Sequence, residues 1–525
     1  MLLGVNMTFI SAINGDSGRW QAILVLVAYI LVIIGISIYS RKKSSSLDGF
    51  LLGNRSIGGW LSAFGYGTTY FSAVVFIGYA GTFGMSLGLA GIWIGIANAL
   101  IGCFLAWVVL AEKTRVVTQK LNAKTMPDFF EKRYSSPGLK VFSSILIFIF
   151  LIPYSTSVYQ GIGYIFEAVF SLKFEYCVII MAVLTAVYIV FGGYLGNTFS
   201  NFFQGIVMIV GIVIIIALML SSEKVNGIEG LKKLTQSGYG ILPSSVSPTG
   251  YFLDKPAVVL FFNILLTSFG VWAVPQSVQK FYAIKDKKSV MRGSVIATVF
   301  AVVIGVGAYF NGAFSRLFFP DIPAEGTGNI VPNMFLQNEY MGYGILGLIC
   351  VLVLAASMST LSSIALTSAS SIGVDVYKGY INKIAPEKKI KLVVSVSSAV
   401  FVLISAVLAI FKVDAIVTLM SLSWGTLAGC FLGPYVYGLY SKKANKVGGY
   451  ISMITTLVVT FTLIFVFGAL EGGQGFLGLL KTGMKRAQVI GVICMVLSMT
   501  LTPIGFLFNK NETVDKAKTL SKTIS

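Results

Sequence analysis

The chain contains no histidine. Imidazole metal sites and histidine proton relays are therefore excluded from the start. Charge is scarce too: 11% of the 525 residues are charged, where a soluble domain carries about 25%. Cysteine contributes no framework. Cys103, Cys177, Cys350, Cys430 and Cys494 all lie in or at the ends of apolar runs, and no C-x-x-C pair occurs. They read as small packing residues, not as disulfide or metal ligands. No nucleotide-binding Gly-Lys-Ser/Thr loop is present. All 20 Asp and Glu fall in loops or at the ends of apolar runs. These absences argue against an enzyme and against ATP-driven transport. They also lower the odds of proton coupling, which usually needs a carboxylate relay at depth.

What the chain has is apolar length. Hydrophobic residues make up 56% of it, gathered into runs of the size that spans a bilayer, about 20 residues. Thirteen spans are expected. They are 21–39, 60–80, 91–110, 141–166, 177–191, 202–220, 257–274, 294–314, 343–371, 392–411, 415–440, 447–469 and 487–508. The expected fold class is an all-α integral membrane protein. The first run ends at Arg41-Lys42-Lys43, a stop-transfer pattern rather than a cleavable signal. The net charge of +19 reads as loop charge that orients helices, not as a nucleic-acid footprint. With the N-terminus outside, 28 of the 39 Lys and Arg fall in inside segments, as the positive-inside rule requires. The expectation is a multi-pass protein of the plasma (cytoplasmic) membrane, N-terminus outside and C-terminus in the cytoplasm. The lipid bilayer would be its partner.

Two spans look interrupted. One holds Gly65, Gly67 and a run of hydroxyls ending at Ser72. The other reads Thr267 to Gln276, with Gly270 and Pro275. Glycine weakens a helix and proline removes a donor, and unwound backbone is tolerated in a membrane only beside a cavity. The bland alternative is close packing through small residues. Position favours the first reading. After the first helix these are the first and sixth of ten consecutive spans, the arrangement of an inverted-repeat transporter. One domain, 1–525, is therefore expected. It would comprise an extra N-terminal helix at 21–39, repeats at 60–220 and 257–440, and two C-terminal helices at 447–508.

With no acid at depth, a transported cation would have to bind carbonyls and hydroxyls, which suit a hard ion such as sodium. Ala356, Ser359 and Thr360 stand at i, i+3 and i+4, on one helix face, and Ser362, Ser363 and Thr367 continue near it. Serines in a span often only bond back to their own helix; beside two interrupted helices the row becomes a plausible cradle.

The same residues carry a resemblance. Leu354 to Tyr380, with Ala-Ala-Ser-Met-Ser-Thr-Leu-Ser-Ser and then Asp375-Val376-Tyr377-Lys378, resembles the eighth core helix of the sodium:solute symporter family (solute carrier 5-like). Gly192-Gly193-Tyr194 through Gln204, Pro275 to Lys280 with Lys285-Asp286, and Phe50 to Arg55 are similar to three further family stretches. The resemblance implies a five-plus-five inverted-repeat (LeuT-like) core with flanking helices, and sodium-coupled symport by alternating access. It implies no cofactor, with sodium as the coupling ion. It places sodium on the carbonyls of Thr68, Phe71 and Ala356 and the hydroxyls of Ser359 and Thr360. Some members bind a second sodium through an aspartate and two serines. The serines correspond to Ser362 and Ser363, but the aspartate position reads Asn201, so a second sodium at Asn201, Ser362 and Ser363 should bind weakly or not at all, and one coupled sodium is expected.

The solute is expected between the broken helices, near Tyr70, Phe71, Val74, Tyr159, Gln160, Phe269 and Trp272. No charged side chain is expected at that depth, which favours a small neutral, zwitterionic or monoanionic solute. A uniporter or proton-coupled carrier on the same fold, and a transporter-like sensor or channel, remain the alternatives.

Overall fold

A computed structural model describes residues 18–41, 47–244, 246 and 248–508. The Lys42-Lys43 stop and both chain termini lie outside them. So do the side chains of residues 189–195, including the expected Gly192-Gly193-Tyr194 stretch. The described chain is helical throughout, and its one β-contact is an isolated bridge between Ile57 and Ile284.

Eleven helices are long and apolar enough to cross a membrane. The thirteen expected spans differ from these in two places. Val74–Lys120 holds two lengths, separated by a tight turn at Gly88–Gly91. The helical stretch α4, Phe174–Ser221, has 48 residues, enough for two lengths of about 20 residues each. Lys412 lies over the ring of Phe174, near its start. Asn338, just ahead of the helix α7 (Tyr343–Ser370), meets Leu218 and Met219 near its end. Asn197, between them, meets Ser362 deep along α7. Both ends of α4 thus lie toward the end of the fold where α7 begins, and its two lengths cross separately.

Burial sorts the helices. In the most apolar stretch of Ile416–Tyr440 (α8), 94% of residues are buried, and in that of Tyr343–Ile381 83%, against 17% for Arg19–Ile36 and 28% for Lys446–Leu470. A helix apolar on every face and buried belongs to the core of a bundle. The first helix α1 (Arg19–Arg41) instead shows Ile23, Leu24, Val27 and Leu31 outward, a face for lipid. Small residues set the closest approaches. A Cβ on Gly84 would lie 2.0 Å from the Gly312 carbonyl oxygen, and one on Gly425 2.6 Å from the Gly491 Cα. Such contacts replace hydrophobic driving force, which is weak between helices already in lipid.

Both expected interruptions are present. The helix α2 (Gly59–Tyr70) stops at Phe71, whose backbone is extended. Helical structure restarts at Val74, where the Val74 N–H donates to the Ser72 hydroxyl and the Val75 N–H to the Ser72 carbonyl. The helix α5 (Pro256–Gly270) is separated from α6 (Pro275–Tyr282) by four residues. Proline disfavours a helical residue before it, and Val274 is accordingly extended. The long helix α3 (Pro137–Phe170) and α8 pack beside these breaks.

Candidate functional site

The end of α2 leaves carbonyls without a helical donor, because the chain leaves the helix before residue i+4 can reach them. The Phe71 N–H still closes on Gly67. The Thr68 carbonyl is met from outside, by the hydroxyls of Ser359 (2.9 Å) and Thr360 (3.2 Å) on α7. Those hydroxyls also lie 2.9 and 3.1 Å from the Ala356 carbonyl, and Thr360 lies 3.4 Å from the Thr69 carbonyl. The Thr68 hydroxyl turns away to the Phe64 carbonyl, which leaves only its main-chain oxygen facing α7. Four of the five expected ligand residues are thus within hydrogen-bond reach of one another. Phe71, the fifth, is the fully buried extended residue at the break. The cluster is all oxygen, and the described residues hold no group of His, Cys, Asp or Glu able to bind a metal. Such a donor set suits a hard monovalent cation and no transition metal.

One turn along α7, Ser362 and Ser363 meet an asparagine, but not the expected one. Ser362 Oγ donates to Asn197 Oδ1 (2.8 Å), and Asn197 Nδ2 donates to Ser363 Oγ (3.3 Å). Asn201 lies one turn further along α4, and its buried amide makes no hydrogen bond among the described residues. The four-residue spacing puts both amides on one face; only helix depth decides which reaches the serines.

The solute candidates separate. Tyr70 stacks on Trp424 of α8 (centroids 5.8 Å apart), and its hydroxyl donates to the Thr267 carbonyl at the end of α5 (2.9 Å). Tyr154 of α3 packs edge-on against Trp424 at 5.6 Å, with its hydroxyl beside Ser72 and Thr360. Phe269 and Trp272 pair at 5.4 Å, and Trp272 Nε1 donates to the Ile101 carbonyl. Val74 is buried at the restart of the broken helix. Gln160 instead donates to the Asp414 carbonyl at the start of α8 (3.2 Å). The Tyr159 hydroxyl is buried without a hydrogen-bond partner among the described residues. Tyr154, Trp424, Asn197 and Thr69 were not singled out from sequence. An aromatic in a span gives no signal until its neighbours are known.

The expectation that no charged side chain stands at this depth fails at one place, and a second charged side chain is buried near the end of a span. Lys280, five residues into α6, is buried and donates to Ser363 Oγ at 3.0 Å. Asp375, near the C-terminal end of Tyr343–Ile381, is fully buried. It accepts from the Thr125 hydroxyl at 2.7 Å and lies 3.8 Å from Lys140. Lys140 in turn binds Asp128 (3.1 Å) and Glu131 (2.7 Å).

A membrane bundle with two broken helices, an oxygen cluster at one break and buried aromatics beside it defines a secondary transporter. The fold is similar to that of a Na+-coupled sialic acid symporter in a substrate-bound outward-open state. The TM-score is 0.73 at 19% identity, covering 94% of this chain and 99% of that one. The sequence is 28% identical to sodium/proline symporter 2 of Staphylococcus saprophyticus over 499 residues, covering 91% of this chain and 93% of that protein. It is also 28% identical to the sodium/pantothenate symporter of Escherichia coli over 439 residues, covering 83% and 88%. The profile of the sodium:solute symporter family matches residues 50–456, and the chain belongs to that family. It is a sodium-coupled secondary transporter of a small solute, not an enzyme.

Proposed function

We propose that this transporter takes up one sodium ion together with a small solute bearing a single carboxylate, zwitterionic or monoanionic. The ion would bind the carbonyls of Thr68, Phe71 and Ala356 and the hydroxyls of Ser359 and Thr360. The observation that carries this reading is the convergence of two α7 hydroxyls on a carbonyl freed by the break in α2. The oxygens come from two elements, so the ion binds well only while α2 and α7 are together. A ligand can shift a conformational equilibrium only by its differential affinity for the two states, and a shared site supplies that difference.

The solute would sit beside Tyr70, with Val74, Phe269, Trp272, Tyr154 and Trp424 as its surroundings; Tyr159 and Gln160 would act from further out. Tyr70 and Thr68 share the last turn of α2, so solute and sodium would stabilise the same position of one half-helix. Each then raises the affinity for the other, by the same factor. The solute class follows from the relatives, which are named for proline and pantothenate, each a compound with one carboxylate. Phe64, Tyr66 and the other residues around the cluster supply no carboxylate that would repel it.

The two repeats would occupy 60–220 and 257–440, with the N-terminus outside the cytoplasmic membrane and the C-terminus inside. The matching positions of the two breaks and the loop charges support both statements. Purified protein in liposomes, given an inward sodium gradient and then an inward proton gradient, tests the coupling with labelled proline and pantothenate. Sodium-driven accumulation of a monocarboxylate solute is expected. Uptake that follows only the proton gradient would refute the reading.

A further inference from the structure

A second group of oxygens lies one helical turn from the proposed sodium cluster. Ser363 Oγ lies 3.2 Å from Thr69 Oγ1, receives Asn197 Nδ2 at 3.3 Å and donates to the Ser359 carbonyl at 2.9 Å. Ser362 Oγ donates to Asn197 Oδ1 and to the same Ser359 carbonyl. Hydroxyls, an amide oxygen and a carbonyl crowded in this way are the chemistry of a hard-cation site. Lys280 Nζ is already there, 3.0 Å from Ser363 Oγ, on a side chain 5% exposed. Its aliphatic stem runs past Gly65, where an added Cβ would lie 3.9 Å from Lys280 Cδ.

We propose that the Lys280 ammonium is the built-in cation of this second site, lined by Thr69, Asn197, Ser362 and Ser363, and that it holds the transporter to a single coupled sodium. An ammonium carries the same unit charge as sodium and brings its own donors, one of which reaches Ser363 Oγ. The proposal rests on the sodium reading above and assigns to Lys280 a role that reading does not contain.

The elements involved explain the choice of position. Thr69 follows Thr68, whose carbonyl belongs to the sodium cluster. Ser363 is one turn from Ser359, whose hydroxyl belongs to it and whose carbonyl both serines share. Lys280 belongs to α6, the inner half of the second broken helix, and Asn197 to α4. Ser363 therefore links the ammonium to α2 and α4 as well as to its own helix, next to the mobile ion. It excludes a second sodium by occupancy and weakens the first by repulsion. Lys280 is a positioning residue in this account, because its charge acts on the bound ion without touching it.

The test is radioactive sodium binding to the purified full-length protein, at constant ionic strength with choline as the balancing cation. Wild type is expected to bind one sodium per chain. Lys280→Gln removes the charge and should tighten sodium binding on the order of tenfold, from Coulomb's law over roughly 8 Å at an effective dielectric constant near 20 to 40. Lys280→Arg keeps the charge and should keep the wild-type affinity. The double variant Lys280→Gln/Asn197→Asp, with a carboxylate in place of the amide, should bind two sodium ions. A purely structural role predicts the opposite sign, weaker binding on losing the lysine. Unchanged or weakened affinity in folded Lys280→Gln overturns the proposal. Two ions bound to wild type overturn it without any variant, so a variant that fails to fold does not shield it. No sodium-specific binding to wild type removes the sodium reading itself, a failure seen before any variant is made.

Discussion

Thr360→Val removes one oxygen from the proposed sodium cluster and leaves the shape of the side chain. The Thr360 hydroxyl faces three carbonyls, those of Ala356, Thr68 and Thr69, at 3.1, 3.2 and 3.4 Å. In the ion-free protein its loss costs one ordinary hydrogen bond, about 1 kcal/mol. With sodium bound the same oxygen faces a full charge, and polar contacts to charged groups are worth about 1.5–3 kcal/mol. The affinity changes by the difference between these two costs, about 0.5–2 kcal/mol, and at 1.4 kcal/mol per factor of ten sodium affinity should fall roughly twofold to thirtyfold. Ser359 supplies a second hydroxyl to the same Thr68 carbonyl. The pair Ser359→Ala/Thr360→Val should therefore be non-additive, as residues sharing a partner usually are. The assay is the sodium dependence of solute uptake in liposomes, read beside sodium-induced thermal stabilisation of the purified protein. At saturating sodium the maximal rate and the solute KM should return toward wild type. Half-saturation within twofold of wild type, in a variant that folds and transports, would show that this hydroxyl is not a ligand and refute the placement.

Trp424→Phe keeps a ring against Tyr70 and Tyr154 but removes an indole N–H that makes no hydrogen bond among the described residues; solute KM should rise severalfold while sodium binding stays at wild type, as measured in the same liposomes. Gly84→Leu drives a side chain into the Gly312 backbone at a 2.0 Å approach; overpacking of this kind costs about 1–3 kcal/mol or more, and a lowered melting temperature with poor yield should report it. Asp128→Asn breaks ion pairs to Lys132 and Lys140 at 2.9 and 3.1 Å. Burial raises the Asp128 pKa, but attraction to those two lysines outweighs it and the carboxyl titrates below its ordinary value. A depressed pKa contributes stability that is present above the unfolded value, near 4, and lost as pH falls through the folded one. The variant should thus be less stable by about 2 kcal/mol at neutral pH, with the gap in melting temperature closing only below the ordinary carboxylate range; a gap that persists unchanged there would count against the pairing.

Much of this protein was legible from local chemistry. Two breaks and a row of hydroxyls were expected at the positions where the structure has them, because each depends on residues close in sequence; the thirteen expected runs stand against eleven helices of crossing length among the described residues. Pro275 forces its own interruption, and Ala356, Ser359 and Thr360 share a face by helix period alone. Asn197 and Asn201 show the limit. They share a face and chemistry, and only the depth at which α4 crosses α7 puts the first against Ser362 and leaves the second apart. Lys280 was counted among the loop bases, since a lysine shortly after a proline looks like the start of a cytoplasmic segment. The half-helix α6 instead continues inward far enough to bring its ammonium to Ser363. Tyr154 and Trp424 carry no local sign at all, and their place beside Tyr70 depends on α3 and α8 packing so that Trp424 touches both tyrosines.

By itself, then, the sequence determined the solvent of this chain, the two places where helix must fail, and the chemistry left for binding a cation once histidine and mid-span acids are missing. These follow from short-range physics: the length of apolar runs, backbone donors removed by proline, and the period of a helix. Only the tertiary structure decided which oxygens meet. It brought a carbonyl of α2 to hydroxyls of α7, placed Asn197 rather than Asn201 against Ser362, and carried a lysine to Ser363, beside the proposed ion site. Those outcomes depend on the relative depth and rotation of packed helices, which no stretch of sequence specifies by itself.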